Sequence, residues 1–441
     1  MALSTEEVES RTTGTSAPAK SDSPIYNWPA TPKVKLGISG AEPPMTDVEA
    51  EFQQTLRKFA LEVMRPIGRK LDRMTPEQII ADDSPYWEFR KKYLELGIEL
   101  SALFEMPPLE RSRLFCIIFE ELGYGDGGLA ISVGAGILPQ YLSALFGNKF
   151  LMERFPEDML GCWAITEPDH GSDTLDPTGT AAHAEGRVSR SNCIVSFKGD
   201  KLVINGQKSA WVSNGTIADV CILYAAADTG NGPDYENGCV VVLPLDLPGV
   251  SRGKPLDKIG QRGDPQGEIF FNNVEVPMEH LLAGPEDFQR AVYCIHAEAN
   301  VLMGATWTGA ARAAYDLALD YAHERKQGGV PIIKHQRVAQ RLFHMFRKVE
   351  AGCALTRRAA HYNQSADVPA LQAAMTAKVT CTQWAHEVTS EAIQIFGGNG
   401  LTAEYPVEKM FRDARSSMIE DGCNELLAIK GGYYLMDEDK L

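Results

Sequence analysis

The chain has 441 residues, 44% of them hydrophobic, and its 59 acidic against 43 basic side chains give a formal net charge of −16. That length supports two or three packed units, and the composition is that of an ordinary globular protein. The acidic balance, without clustered Lys and Arg, argues against a nucleic-acid partner.

Nine cysteines stand singly, with no CxxC pair or metal-ligand spacing, which points to free thiols in a reducing compartment and to no metal. No run of about 18 apolar residues reads as a membrane span. The early acids Glu6, Glu7 and Glu9 do not suit a targeting peptide, so a cytoplasmic location is expected.

Residues 1–47, rich in Ser, Thr, Pro and Ala, read as an N-terminal extension in which Tyr26-Asn27-Trp28-Pro29 offers aromatics for docking on the body or on a neighbouring subunit. Over 48–160, apolar residues recur at spacings of three and four, as in Phe52, Leu56, Phe59, Ala60 and Val63. This predicts an N-terminal α-helical domain, capped at Thr46 or Asp47. Gly123, Gly125, Gly127 and Gly128 interrupt the helical pattern and read as a connection. Over 161–284 the pattern shortens to strand-length runs at 193–197, 201–204, 220–224, 239–243 and 268–271. They predict a middle β-barrel domain with a hairpin turn at Asn205-Gly206. Over 285–441 long helices return, one at 287–326 and another at 335–365, and their short connections predict a C-terminal four-helix bundle. The expected fold class is therefore α+β multidomain: helices, β-barrel, four-helix bundle.

Two segments carry the chemistry. The first is Gln394-Ile395-Phe396-Gly397-Gly398-Asn399-Gly400, followed by Glu404-Tyr405-Pro406-Val407-Glu408-Lys409, Arg412-Asp413-Ala414-Arg415 and Asp421-Gly422. Its glycines bring bare backbone to a ligand, and its carboxylate stands near the start of a further helix. The second is Trp163-Ala164-Ile165-Thr166-Glu167-Pro168-Asp169-His170-Gly171-Ser172-Asp173, with Lys208-Ser209-Ala210-Trp211-Val212-Ser213-Asn214 beyond it. With Gly260-Gln261-Arg262, Val274-Glu275-Val276-Pro277, Glu324-Arg325-Lys326 and His335-Gln336, these segments make the chain, from about residue 48 to its end, resemble the acyl-CoA dehydrogenase family of flavoproteins.

The resemblance implies FAD as cofactor and α,β-oxidation of an acyl-CoA thioester, in which a base removes the α-proton and flavin N5 takes hydride from Cβ. Asp421 falls at the base position, where common members have glutamate. Its side chain is one methylene shorter, a difference of about 1.5 Å, and aspartate here is a feature of relatives acting on alicyclic acyl-CoA and of nitroalkane oxidases. Glu420 is the rival carboxylate. Glu298, on the first bundle helix, is the reserve, expected as a solvated or interface side chain, and Asn300 replaces an arginine found in many members.

Thr166 and Ser213 resemble the hydroxyls at the flavin's polar edge, Ile165 the backbone beside it, Trp211 the indole on its face and Ser172 the pyrophosphate contact. Arg325, Gln336, Gln394, Gly397 and Gly398, with Thr402 and Glu404, resemble residues reaching the ADP half of a flavin in a neighbouring subunit. Gln327-Gly328-Gly329 departs from the usual Thr-Phe-Gly and implies a rearranged clamp. Met303, Met345, Met375 and Met418 read as core packing, and His170 as a surface-loop histidine. The implied assembly is a homotetramer passing electrons to an electron-transferring flavoprotein. A flavin oxidase, an acyl-CoA lyase and a non-catalytic partner subunit of a mixed oligomer remain alternatives.

Overall fold

In the computed structural model, which describes residues 27, 29, 45–175, 191–437 and 439, helix α1 (Asp47–Phe59) begins at a capping box. Glu49 N donates to Thr46 Oγ1 at 3.2 Å and Thr46 N to Glu49 Oε2 at 2.7 Å, which satisfies two of the helix's orphan donors. All the elements named below lie in one compact unit, residues 45–441. The docking expected of Tyr26 and Trp28 lies outside the described residues.

A π turn (Ala60–Met64) leads into α2 (Arg65–Leu71), then α3 (Pro76–Ile80), α4 (Pro85–Leu94), α5 (Leu100–Glu105), α6 (Pro108–Gly125), α7 (Gly127–Leu145) and α8 (Lys149–Arg154). Their apolar faces do not close on themselves. Leu56, Met64, Phe89, Phe119 and Leu129 share one core with Val301, Leu302 and Ala377 of the C-terminal helices. Helix α7 is long and apolar enough to cross a bilayer, with a mean hydropathy of 1.4, but 78% of that stretch is buried inside the protein, so its apolarity serves the core.

The glycine cluster is also more than a connection. A Cβ on Gly123 would lie 1.9 Å from Thr306 O, and one on Gly309 would lie 1.9 Å from Glu120 O. Backbones cross in contact there, which only glycine allows.

The central domain is an eight-stranded sheet of β1 (Gly161–Ala164), β2 (Cys193–Lys198), β3 (Lys201–Ser213), β4 (Val220–Asp228), β5 (Pro233–Pro244), β6 (Val250–Arg252), β7 (Gln266–Pro277) and β8 (Leu281–Ala283). The order is β6-β7-β3-β2-β4-β5-β8, with β1 parallel on β4, and no pairing among the described residues joins β6 to β8. Asn205-Gly206 is not the hairpin turn. The β2–β3 turn lies at Gly199-Asp200, with Lys198 opposite Lys201. Strand β3 runs on through Gly206, whose φ of 120° accompanies a register shift against β7 between Ile204 and Gly206, so the glycine serves a β-bulge.

The bundle contains α9 (Phe288–Glu324), α10 (Gln336–Ser365) and α11 (Leu371–Phe396), and the hairpin β9 (Lys326–Gln327) and β10 (Val330–Pro331) links α9 to α10. A 3-10 turn (Gly397–Leu401) ends α11. The fourth place in the bundle is shared by two short helices packed on α11, α12 (Val407–Ser416) and α13 (Asn424–Met436). Met303, Met345 and Met375 are buried and Met418 is half-buried, as core packing requires. Seven cysteines are buried, two are half-buried and all nine are free. The architecture is α+β: N-terminal helices, a central β-sheet and a C-terminal helical bundle.

Candidate active site

The loop between α12 and α13 takes its shape from two consecutive left-handed residues, Asp421 (φ 53°) and Gly422 (φ 89°). Aspartate is among the few side chains that enter this region readily. Three elements hold the loop. Asn300 Nδ2 of α9 donates to Asp421 O at 3.2 Å, and Lys378 Nζ of α11 donates to Gly422 O at 2.7 Å and to Asn424 Oδ1 at 2.8 Å. Ser172 Oγ, on the turn that follows β1, accepts from Cys423 N at 2.9 Å.

The loop's carboxyls are desolvated. Burial pushes Asp421 up to about 6, opposed by the Lys378 ammonium and reinforced by Asp264. Burial and the Asp421 charge push Glu420 up to about 8, although Gln261 Nε2 donates to its Oε1 at 2.7 Å. Lys378, wholly buried, is lowered to about 8 by desolvation against the pull of Asp421 and Glu420.

Strand β3 supplies the face opposite. Val212 points into the sheet core, so Trp211 and Ser213 point outward, and Trp211 is 60% exposed. Ser213 Oγ donates to Asp264 Oδ2 at 2.8 Å and accepts from Gln266 Nε2 at 3.1 Å. Burial raises the Asp264 carboxyl while Lys258, whose Nζ donates to Asp264 O at 2.6 Å, holds it down. Ile165 O accepts from Lys208 Nζ at 3.1 Å and Thr166 O from Ser209 N at 3.0 Å, so the loop after β1 is fixed to β3. The buried Lys208–Glu167 pair, at 2.6 Å, staples the same junction. Thr166, Ser172, Ser213 and Asp421 are thus gathered around one region, with Asp264 between Ser213 and the loop.

Arg325 at the end of α9, Gln336 at the start of α10, and Gln394, Gly397 and Gly398 at the end of α11 are all exposed. Those ends are locked by the Tyr321–Phe396 stack, with centroids 4.1 Å apart, and by the 2.9 Å bond from Asn399 Nδ2 to Tyr321 Oη. Thr402 and Glu404 are exposed beside them. Among the described residues no hydrogen bond or ion pair joins the five to Asp421, Thr166 or Ser213. Gln327-Gly328-Gly329 forms the β9–β10 turn, with φ of 61° and 83° at its glycines.

Two expectations fail. Glu298 is half-buried, not solvated: Tyr141 Oη donates to its Oε2 at 2.7 Å, and burial raises its carboxyl. It therefore faces α7, whereas Asn300, two residues on, reaches the loop. His170 is 2% exposed, because the backbone bridge between Glu167 and His170 turns its ring inward, where Nδ1 meets Asp173 Oδ2 at 2.7 Å.

Sequence reasoning missed Asp264, Lys258 and Lys378. Lys378 had a signal, a lone lysine on the face of α11 that carries Ala374, Met375 and Ala377. Asp264, beside Gly263 and Pro265, had none.

The profile described as acyl-CoA dehydrogenase, middle domain, matches residues 162–274, and that described as acyl-CoA dehydrogenase, C-terminal domain, matches 289–430. The chain is 29% identical over 395 residues to the benzylmalonyl-CoA dehydrogenase of Aromatoleum aromaticum, covering 87% of this chain and 97% of that protein. It is 32% identical over 330 residues to the cyclohex-1-ene-1-carbonyl-CoA dehydrogenase of Geobacter metallireducens, covering 73% and 81%. Among solved structures, butyryl-CoA dehydrogenase from Megasphaera elsdenii superposes with a TM-score of 0.77 at 27% identity, over 90% of this chain and 100% of that one. A glutaryl-CoA dehydrogenase in complex with glutaryl-CoA gives 0.77 at 25% identity, over 90% and 96%.

Proposed function

The chain belongs to the acyl-CoA dehydrogenase family, oxidoreductases acting on the CH–CH group of acyl-CoA, and from that premise we propose that it is an FAD-dependent dehydrogenase whose base is Asp421. FAD fits the residues present. Trp211 offers a large uncovered indole beside Ser213, and the Thr166 hydroxyl makes no hydrogen bond among the described residues. Buried Asn300 Oδ1 and Asp264 Oδ1 lack partners near the same region. Bound there, FAD supplies the acceptor for the Cβ hydride.

The observation that carries the reading is the state of Asp421. A carboxyl near 6 is ionised at neutral pH yet more basic than an exposed aspartate, which suits removal of a weakly acidic α-proton. The left-handed turn holds it in place, and neither its amide nor that of Gly422 bonds elsewhere among the described residues. Those amides are therefore free to donate to the thioester oxygen as charge develops on it. Asn300 and Lys378 keep the loop from relaxing.

The exposed Arg325, Gln336, Gln394, Gly397 and Gly398 suit the ADP half of a flavin held by a second copy, which supports a homotetramer. Electrons then pass to an electron-transferring flavoprotein, and the nine free thiols fit a cytoplasmic enzyme.

The test is anaerobic bleaching of the flavin band with a panel of acyl-CoA esters, starting from cyclohex-1-ene-1-carbonyl-CoA and benzylmalonyl-CoA and extending to straight-chain and branched thioesters. Asp421→Asn should keep the yellow cofactor and lose bleaching with every ester. Bleaching at the wild-type rate would overturn the assignment.

A further inference from the structure

We propose that Glu420 is a positioning residue for the base: it stays protonated while Asp421 ionises, and Gln261 anchors it to the β domain. The inference rests on Asp421 being the base. It starts from a charge count within one desolvated cluster. Asp264, Glu420 and Asp421 are three carboxyls, and Lys258 and Lys378 are the two ammoniums facing them. With all three acids ionised, the cluster holds an unbalanced charge on groups that are buried or half-buried, which desolvation disfavours. One proton removes the imbalance.

Geometry decides where that proton sits. Asp264 accepts from Ser213 and lies against Lys258, and Asp421 feels Lys378 as its largest opposing charge. Glu420 has Asp421 as its largest adverse charge and a neutral amide as its hydrogen-bond partner. From α12, Asp413 shares the Lys409 ammonium with Asp126, both at 2.6 Å, so that triad adds negative charge to the balance and disfavours ionisation of Glu420 in the same sense. Arg262, on the Gln261 loop, is turned to Asp257 and Met74 O.

Gln261 itself is fixed at both ends. Its backbone N donates to Asp413 Oδ1 at 2.5 Å, and its Nε2 reaches Asp413 O at 3.2 Å as well as Glu420. Glu420 is therefore held while its proton is kept. Losing that proton places a second negative charge beside both the base and the anionic thioester oxygen that forms in the reaction.

The expected signature is an alkaline limb. In the wild type, kcat/KM falls as pH rises through about 8, approaching tenfold per unit. Glu420→Gln should remove the Glu420 share of this limb and make it shallower, leaving only the decline set by the Lys378 ammonium, itself lowered to about 8. It should leave the acid limb in place, because Glu420 is already neutral where Asp421 titrates. Gln261→Leu, which removes a donor that favours the ionised form, should move the limb upward.

Thermal midpoints read the same group without turnover. A carboxyl raised from 4.5 to about 8 contributes stability that is full below pH 4.5 and lost as pH rises through 8, so Glu420→Gln should flatten that decline relative to wild type. An alkaline limb unchanged in steepness and position in Glu420→Gln, or fixed in Gln261→Leu, overturns the inference while Asp421→Asn remains inactive. An active Asp421→Asn instead overturns the base assignment beneath it.

Discussion

Removing the Lys409 ammonium tests how the N-terminal helices, the sheet and the bundle are held together. Lys409 is 5% exposed, and its Nζ lies 2.6 Å from both Asp126 Oδ2 and Asp413 Oδ2. Burial alone would lower its pKa, but Asp126 and Asp413 raise it, so the ammonium stays charged. Asp126 also caps α7 through Leu129 N at 3.1 Å, and Asp413 receives Gln261 N. Lys409→Met keeps the stem and deletes the charge, leaving two buried carboxylates without a counter-ion, a loss of about 3–5 kcal/mol. For a unit of about 400 residues, with an unfolding entropy near 2.1 cal/mol/K per residue, that loss lowers Tm by roughly 4–6 °C. Scanning calorimetry of the holoenzyme at pH 7 measures it. Adding Asp126→Asn and Asp413→Asn should recover most of the loss, because the stranded charges go with them. A shift of less than about 1 °C in Lys409→Met would show that the triad carries no such energy.

The acid side of the pH profile should fall as pH drops through about 6, since the protonated Asp421 cannot act as base; a limb near the ordinary aspartate value would contradict its burial. Arg325→Ala should weaken FAD retention by roughly ten- to a hundredfold, the scale of one charge-assisted hydrogen bond, without lowering the apoprotein's Tm, because Arg325 is exposed and forms no ion pair among the described residues. Flavin fluorescence on dilution measures that release, and unchanged retention would remove Arg325 from the cofactor site. Gly123→Ala places a methyl 1.9 Å from Thr306 O and should destabilise by about 1–3 kcal/mol in a denaturant titration; a neutral result would mean that the α6–α9 crossing can open.

Periodicity made the long helices and the strand runs legible, because α10 buries one face and the start of β3 alternates, although α9 is buried nearly all round at its centre and β3 loses its alternation beyond residue 204. It misread Asn205-Gly206, because a glycine with positive φ serves a bulge as well as a turn and local sequence cannot separate the two. The Asp421-Gly422 motif was legible as a candidate site. Its surroundings were not: Asp264 lies 157 residues earlier in the chain and Lys378 lies 43 residues earlier, so only tertiary packing brings them to one desolvated volume. Glu298 and His170 were misplaced for a related reason. A polar residue in an otherwise apolar or loop segment was assigned to solvent, whereas Tyr141 and Asp173 supplied partners inside.

Gln261 shows why the site could not be built within one domain. Its backbone, at φ 50°, passes so close to α7 that a Cβ on Gly128 would lie 2.9 Å from Gln261 Cα, while its amide and side chain bind α12 and the base loop. The N-terminal helices, the sheet and the bundle therefore meet at this residue. The core that Leu56 and Phe119 share with Val301 and Ala377 joins the N-terminal helices to the bundle with apolar surface. Desolvation of Glu420 and Asp421 is a product of that docking, and so is the raised basicity of the carboxylate. A bundle separated from the sheet would lose Asp264, Lys258 and Gln261 from the cluster and return Asp421 towards an ordinary aspartate. Assembly of the domains and desolvation of the Asp421 carboxyl are, on this geometry, one event.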